Sequence, residues 1–241
     1  MKASCFATIF LLALSSCYKT IDSTKEVCTS GCTIIQGRVT TLNDRPVSGV
    51  TVTIGSVRNA SSAGRVKRTI ARATSGSDGY YRLKFALNEY ESGQQASADV
   101  YLQYNYDTTA FTPIPVLSKD VLLSSPRTVL LFTNKEITLD RSIYLPQKTK
   151  ANIRLQGFYS TGSDFNRFEV TPSFRIGVYS WYQDGAYVVV SQSAVTEKTV
   201  DVAGNDSTRF HIEKWKGGQR IMHDTSVFTP LAQTTSLIFN F

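Results

Sequence analysis

The two histidines are the first residues to test for catalytic chemistry, because imidazole serves both general acid–base catalysis and metal binding. His211 lies in TRFHIEKW, where alternation sends Phe210 and Ile212 inward and leaves His211 on a solvated outer face. His223 precedes Asp224 in a hairpin or loop, and adjacent side chains cannot face each other along a strand. The chain has no His-x-x-Glu pair, nucleophile elbow or phosphate-binding glycine loop. We therefore predict no catalytic residues, no metal and no cofactor; a hydrolase built from scattered loop carboxylates is the less favoured alternative.

Four aromatic residues surround a tight turn in the stretch YSWYQDGAY. Tyr179, Trp181, Tyr182 and Tyr187 flank Asp184-Gly185, a dipeptide that favours a hairpin turn. Exposed aromatic rings near the tip of a β-sandwich could stack on sugar rings, so a glycan is one predicted ligand. The alternative, which we favour, is that these side chains pack in a core or along a sheet edge.

A basic run, Arg65, Lys67, Arg68 and Arg72, lies between two strand-like segments. These side chains could bind an acidic polysaccharide or the acidic surface of a partner protein. Charges on an edge strand also prevent pairing with other chains, and we favour this second explanation.

A short apolar segment near the N-terminus indicates export. Lys2 supplies a positive charge, and residues 6–14 form an apolar core too short for a permanent membrane-spanning helix. Leu14-Ser15-Ser16 runs directly into Cys17, and this order resembles the lipobox of bacterial lipoproteins. The resemblance implies that residues 1–16 are a signal peptide and that Cys17 carries the lipid that anchors the mature chain to a membrane. An ordinary signal peptide is the alternative.

Two further features bear on location and partners. Tyr18, rather than an acidic residue, follows Cys17, which favours an outer-membrane position by a sorting rule of other bacteria and leaves periplasmic or surface facing open. The sequence contains 26 Lys and Arg residues against 19 Asp and Glu residues, and the excess is spread along the chain. Because no concentrated basic face results, we predict that the protein does not bind nucleic acid.

The stretch CTSGC contains the two other cysteines that remain after removal of the signal peptide. Ser30-Gly31 can turn the backbone tightly enough to join Cys28 and Cys32, so a disulfide is plausible in an oxidising compartment. No histidine lies nearby to complete a metal site, which makes metal binding less favoured. Residues 17–30 lack an apolar period, and we predict a lipidated cysteine followed by a flexible tether.

Three segments with strict alternation predict strands with one apolar face: TIIQGRVT, VTVTI and YYRLKF. Together, GRVTTLNDRPVSGVTVTI and ATSGSDGYYRLKF resemble the carboxypeptidase regulatory-like family. The resemblance implies a transthyretin-like β-sandwich of about seven strands over residues 31–145, without catalytic residues of its own.

A second series of short strands follows, over residues 146–241, with Gly217-Gly218 as a hairpin turn. We predict an all-β chain of two antiparallel β-sandwich domains, transthyretin-like and then immunoglobulin-like. The predicted function is a lipid-anchored envelope binding or accessory protein that recognises a glycan or an outer-membrane protein. The alternative is a pilus-type structural subunit that assembles by strand donation, with the tether or the final strand TTSLIFNF as donor.

Overall fold

The computed structural model describes residues 19–22, 28–60, 64–94, 96–112, 127–159, 166–177, 181–184, 189–191 and 193–241. Within these residues the chain is almost entirely β, with only two short 3-10 helices, Leu42–Asp44 and Glu89–Glu91. The strands are β1 Lys19–Asp22, β2 Thr33–Thr41, β3 Arg45–Pro46, β4 Thr51–Ala60, β5 Gly64–Thr74, β6 Tyr80–Phe85, β7 Ala98–Asn105, β8 Arg127–Leu130, β9 Thr138–Asp140, β10 Ile143–Tyr144, β11 Lys148–Gln156, β12 Arg167–Ile176, β13 Trp181–Asp184, β14 Val189–Ser191, β15 Val195–Ala203, β16 Asp206–Lys216, β17 Gln219–Thr229 and β18 Thr234–Asn240.

Strands β1 to β10 form the N-terminal unit, in which two sheets enclose one apolar core. One sheet has the order β1-β5-β4-β7-β8, and the other is built around β2, which pairs with β3, β6, β9 and β10. The alternation predicted from the sequence is confirmed, because the inward residues of each predicted strand are buried. These residues are Ile35, Val39, Val50, Val52, Ile54, Tyr81, Leu83 and Phe85.

Strands β11 to β18 form the C-terminal unit. Its sheets have the orders β15-β11-β18 and β13-β12-β16-β17, with β14 also paired to β12. Phe210 and Ile212 face the core as predicted. The C-terminal segment packs against the same core, where Leu237, Phe239 and Phe241 lie partly buried. The fold is therefore the all-β sandwich fold that the sequence indicated.

The pairing is not antiparallel throughout. β1 lies parallel to β5, β9 and β10 lie parallel to β2, and β18 lies parallel to β11. Gly37 is needed where the chain passes from β9 to β10, because a Cβ atom at Gly37 would stand 2.7 Å from the backbone of Arg141. The glycine in GRVT therefore has a packing role that strand alternation alone does not reveal.

The segment predicted as a flexible tether, residues 17–30, contains ordered structure. Residues Lys19–Asp22 form β1, and Cys28 is joined to Cys32 by a disulfide with its Cα atoms 5.9 Å apart. Main-chain pairing to β5 supplies the hydrogen-bond partners that the polar sequence of β1 lacks, and a flexible tether over the rest of residues 17–30 stays a prediction. Cys17 lies outside the described residues.

A polar cluster joins the two units. Asp206 is buried and accepts three hydrogen bonds from the Arg175 guanidinium, at 3.3, 3.1 and 2.9 Å, and one from the Tyr144 hydroxyl at 3.4 Å. Burial and then the Asp206 charge raise the pKa of Tyr144 to about 12. The boundary between the two hydrophobic cores lies in the same part of the chain, since the first core includes Leu145 and the second begins at Ala151.

Two buried tyrosines hold β6 and β7 to the β9–β10 connection. The Tyr81 hydroxyl donates to the Arg141 carbonyl oxygen at 2.6 Å, and the Tyr104 hydroxyl reaches the same oxygen at 3.4 Å. The two rings meet edge to face, with their centroids 6.4 Å apart. Burial raises the pKa of Tyr81 to about 12 and raises that of Tyr104 well above its usual range.

We expect Tyr81 to make stability sensitive to high pH. Because its pKa is 10.0 when exposed and about 12 in the fold, the stabilisation is complete below pH 10 and is lost as the pH rises toward 12. Between pH 9 and pH 11, the free energy of unfolding in urea should fall less for Tyr81→Phe than for the wild type. At pH 7 the substitution should lower the free energy of unfolding by about 1 kcal/mol, because one hydrogen bond is lost. Equal losses in the two proteins would contradict this assignment.

Candidate functional site

The structure separates the basic residues that the sequence grouped together. Arg65 is exposed and Lys67 is half-buried, whereas Arg68 is buried with only 8% of its surface accessible. The prediction that Arg68 belongs to a basic binding surface is therefore wrong. Its side chain belongs to the interior of the N-terminal unit.

Arg68 forms a buried ion pair with Glu91. One guanidinium nitrogen lies 2.6 Å from Glu91 Oε2, which also accepts the backbone N–H of Asn88 at 2.8 Å. The Ser56 hydroxyl donates to the other carboxylate oxygen at 2.5 Å. Glu91 itself is only 2% exposed, so its charge is compensated almost entirely by protein groups.

Arg68 shares the inward face of β5 with Val66 and Ile70, and a β-bulge ends this face at Ile70. The pairing of β4 with β5 shifts between Ile54 and Gly55, which leaves Ile70 without a partner residue. Beyond the shift, Arg68 pairs with Ser56, and the 3-10 helix that carries Glu91 covers this position. On this side of the bulge, the inward face of β5 therefore directs Arg68 toward Glu91.

The outer edge of β5 is covered along part of its length. β1 pairs with it in parallel, with Lys19 opposite Val66 and Asp22 opposite Thr69. Because β5 is not a free edge over these residues, the hypothesis that its charges guard a free edge does not apply there. The described structure instead presents an edge that already accepts an added strand.

An open polar groove lies beside this region at one end of the N-terminal unit. Its volume is about 580 Å³, and it is formed by the loops that flank the helix Glu89–Glu91 and the turn after β8. The groove is lined by Glu89, Ser92, Gly93, Gln94, Thr133, Asn134 and Lys135. One carboxylate, one ammonium group, two amides and two hydroxyls could together bind a polyhydroxylated ligand.

Only two of the four aromatic residues predicted to stack on sugar rings lie within the described residues. Trp181 and Tyr182 lie in β13, opposite Ile176 and Arg175 of β12. Tyr179 and Tyr187 lie outside the described residues. Stacking of these four residues on sugar rings therefore stays a prediction.

The histidines lie on adjacent strands of the C-terminal unit. His211 Nδ1 is 2.6 Å from Asp224 Oδ1 across the β16–β17 pair, and both side chains are substantially exposed. His223 lies in β17 opposite Ile212. Within the described residues, no group of three His, Cys, Asp or Glu side chains could hold a metal ion.

The same outward face carries a second cross-strand pair that the sequence did not single out. The Arg220 guanidinium lies 2.7 Å from the Glu213 carboxylate, which also accepts a hydrogen bond from the indole of Trp215. These bonds, first from Arg220 and then from Trp215, lower the pKa of Glu213. Strand alternation could have placed these residues on one face, but the pairing register was needed to match them.

No protein family model and no curated protein matches the chain. Among solved structures, the chain is similar to the TIE protein of Bacillus anthracis, at 6% identity and a TM-score of 0.26 over 87% of this chain and 34% of that one. It is also similar to a streptococcal ancillary pilin, at 10% identity and a TM-score of 0.28 over 88% of this chain and 63% of that one. A third similarity is to the shaft pilin SpaA of Lactobacillus rhamnosus GG, at 10% identity and a TM-score of 0.29 over 87% and 96% of the two chains. At these values the similarity is limited to the all-β fold.

The first two of these proteins are longer, and the chain spans only 34% and 63% of their respective lengths. Among the described residues, no helix is long and apolar enough to cross a membrane.

Removal of Glu91 should strongly destabilise the protein. Glu91→Ala leaves the Arg68 charge buried without its carboxylate and removes the acceptor of Ser56 and Asn88, so we expect a loss of about 3–5 kcal/mol in urea unfolding. Glu89→Ala is the matched control, because Glu89 lies exposed in the same helix and should change stability by less than about 0.5 kcal/mol. A loss below about 1 kcal/mol for Glu91→Ala would show that the ion pair does not maintain this part of the fold.

Proposed function

We propose that the protein is a lipid-anchored structural subunit of the cell envelope that assembles by exchanging its N-terminal strand between copies. The observation that carries this proposal is the position of β1. Within the part of the chain that the structure describes, this four-residue strand is paired to β5 alone, and it lies at the edge of its sheet.

Parallel main-chain pairing makes β1 exchangeable. The contact consists of backbone pairing along Val66–Thr69, and the same edge can accept the same strand from another molecule. Five residues, 23–27, lie between β1 and Cys28. An extended linker of this length spans at most about 18 Å, which is enough to redirect the strand to a neighbouring copy in close contact.

The proposed lipid attachment limits where this exchange takes place. Lys19 follows Cys17 by two residues, so a lipid on Cys17 would hold the start of β1 within about 7 Å of the bilayer surface. A copy that donates β1 while it is lipidated would therefore form the membrane-proximal end of an assembly. Outer-membrane placement, which Tyr18 after Cys17 favours, is part of the proposal.

Cysteine cross-linking between differently tagged copies tests the exchange. Thr20 lies opposite Lys67 in the β1–β5 register, so a Thr20→Cys copy and a Lys67→Cys copy, expressed together, should form a disulfide-linked pair in intact cells. Thr20→Cys with Arg72→Cys is the matched control, because Arg72 lies on the same strand beyond the residues that β1 covers. The double variant Thr20→Cys/Lys67→Cys should give a ladder of oligomers.

The proposal fails if the double variant forms its disulfide only within one chain and the separate copies never become linked. In that case β1 is a fixed edge strand of its own subunit.

A second candidate, an accessory binding protein, is favoured by the polar groove between the loops at residues 89–94 and 133–135. Its mixed donors and acceptors suit a glycan better than an apolar ligand. The double variant Asn134→Ala/Gln94→Ala should lose at least about tenfold in affinity on an array of envelope and host glycans, because two amide contacts are removed. Arg82→Ala, an exposed change on β6, is the control, and an array without any bound glycan for the wild type would exclude this candidate.

A further inference from the structure

Strand β17 forms an edge of the C-terminal unit and exposes apolar side chains there. Among the described residues, only β16 pairs with this strand of 11 residues. Its first six residues, 219–224, are all exposed, and they include Ile221 at 50% and Met222 at 55%. Phe228, further along the strand, is also exposed, and a long edge with exposed apolar side chains is a ready site for pairing with another strand.

Two opposite charges flank Met222 on the outward face of this edge. Arg220 is paired with Glu213, and Asp224 is paired with His211, both across the β16–β17 ladder. Because side chains two residues apart share a face of a strand, Arg220, Met222 and Asp224 form one row. The row therefore carries a positive end, an apolar centre and a negative end.

We propose that β17 pairs antiparallel with β17 of a second copy, with Met222 on the two-fold axis. In this register Arg220 of each copy lies opposite Asp224 of the other, and Ile221 lies opposite His223. Opposite charges that face each other directly across two strands stabilise a sheet, and the two symmetry-related contacts double the gain. The existing pairs then extend into a continuous row, from Glu213 and Arg220 of one copy to Asp224 and His211 of the other.

Other registers of the same two strands lose this match. An axis at Asp224 places the two Asp224 carboxylates opposite each other and Arg220 opposite Phe228. An axis at His223 places the two imidazoles together and leaves Arg220 opposite Ser226. Like charges directly opposite destabilise a sheet, so the charge pattern selects the register centred on Met222.

The edge at β18 does not define a partner in the same way. β18 is the last strand of its sheet among the described residues and exposes Ile238 at 59%, but the segment TTSLIFN has no charged side chain. Charge therefore selects no register there, and Ile238 offers a control position on an unrelated edge.

Complementary charge changes test the proposal. The protein for this experiment is the chain from residue 17 with Cys17→Ser, studied by sedimentation equilibrium. The parent protein should form a dimer, and Arg220→Asp or Asp224→Arg alone should each weaken the dimer about tenfold or more, because each change turns two attractive contacts into repulsive ones. A mixture of the two variants should form a heterodimer, in which every contact is again between opposite charges.

Two controls separate pairing between copies from effects inside one chain. Glu213→Gln removes the partner of Arg220 on its own hairpin and should leave the dimer intact, and Ile238→Arg on β18 should do the same. In a second measurement, a short bismaleimide should cross-link Met222→Cys into dimers, whereas Phe228→Cys, on the same face of the same strand, should not react in this way. Both cysteines lie on exposed positions of β17.

A parent protein that stays monomeric at about 100 μM, or a dimer that both charge changes leave unaltered, would overturn the proposal. The charges on β17 would then protect a free edge from pairing. The result does not depend on the proposed strand exchange, because the β17 variants leave the Thr20–Lys67 contact unchanged and the two cross-links can be scored separately.

Discussion

Unpaired peptide groups at sheet edges are the constraint on which the rest of this structure depends. Each open sheet has two strands with one row of unsatisfied N–H and C=O groups, and these rows must meet water, another strand or another chain. The structure deals with its edges in different ways. β1 covers part of β5, the short connection between β14 and β15 joins the two sheets of the C-terminal unit on one side, and β17 and β18 stay open among the described residues.

The covered edge is linked to the interior through the bulge in β4 and β5. The shifted register places Arg68 opposite Ser56, and the same residue of β5 is the backbone partner of Ile21 on β1. Arg68 therefore contributes its main chain to the added strand and its side chain to Glu91. A buried ion pair adds little net stability compared with an apolar pair, but breaking it is costly, so it fixes one arrangement of the strand beneath β1. The ion pair joins β5 to the 3-10 helix and does not involve β1.

The sequence was sufficient to predict the all-β class and the inward faces of the regular strands. Period-two alternation correctly assigned Ile35, Tyr81 and Phe210 to the core, and Gly217-Gly218 correctly marked the β16–β17 hairpin.

The features that define the candidate sites could not be predicted from strand alternation. β1 was missed because four polar-rich residues have too little pattern to stand out. The burial of Arg68 was missed because a charged side chain was assigned to the surface, although it lies between Val66 and Ile70 on one face of β5. The pairing of Arg220 with Glu213 and of Asp224 with His211 depends on hairpin register, which sets both contacts at once. Gly37 shows the same limit. A side chain is excluded there by the backbone of Arg141, which is close in space but more than 100 residues away in the chain.

The two proposed contacts have different symmetry, and this difference decides what they can build together. Strand exchange at β5 is heterologous, because the donor strand and the acceptor edge are different surfaces, so repeated exchange produces an open chain of subunits unless it closes into a ring. Pairing of β17 with itself is isologous and closes after two copies. An open chain in which every subunit also presents a self-complementary edge can join a second chain laterally, which strengthens an assembly without lengthening it. The two edges belong to different units of the protein, connected through Asp206, Arg175 and Tyr144. That polar junction would therefore bear the load between the longitudinal and the lateral contacts.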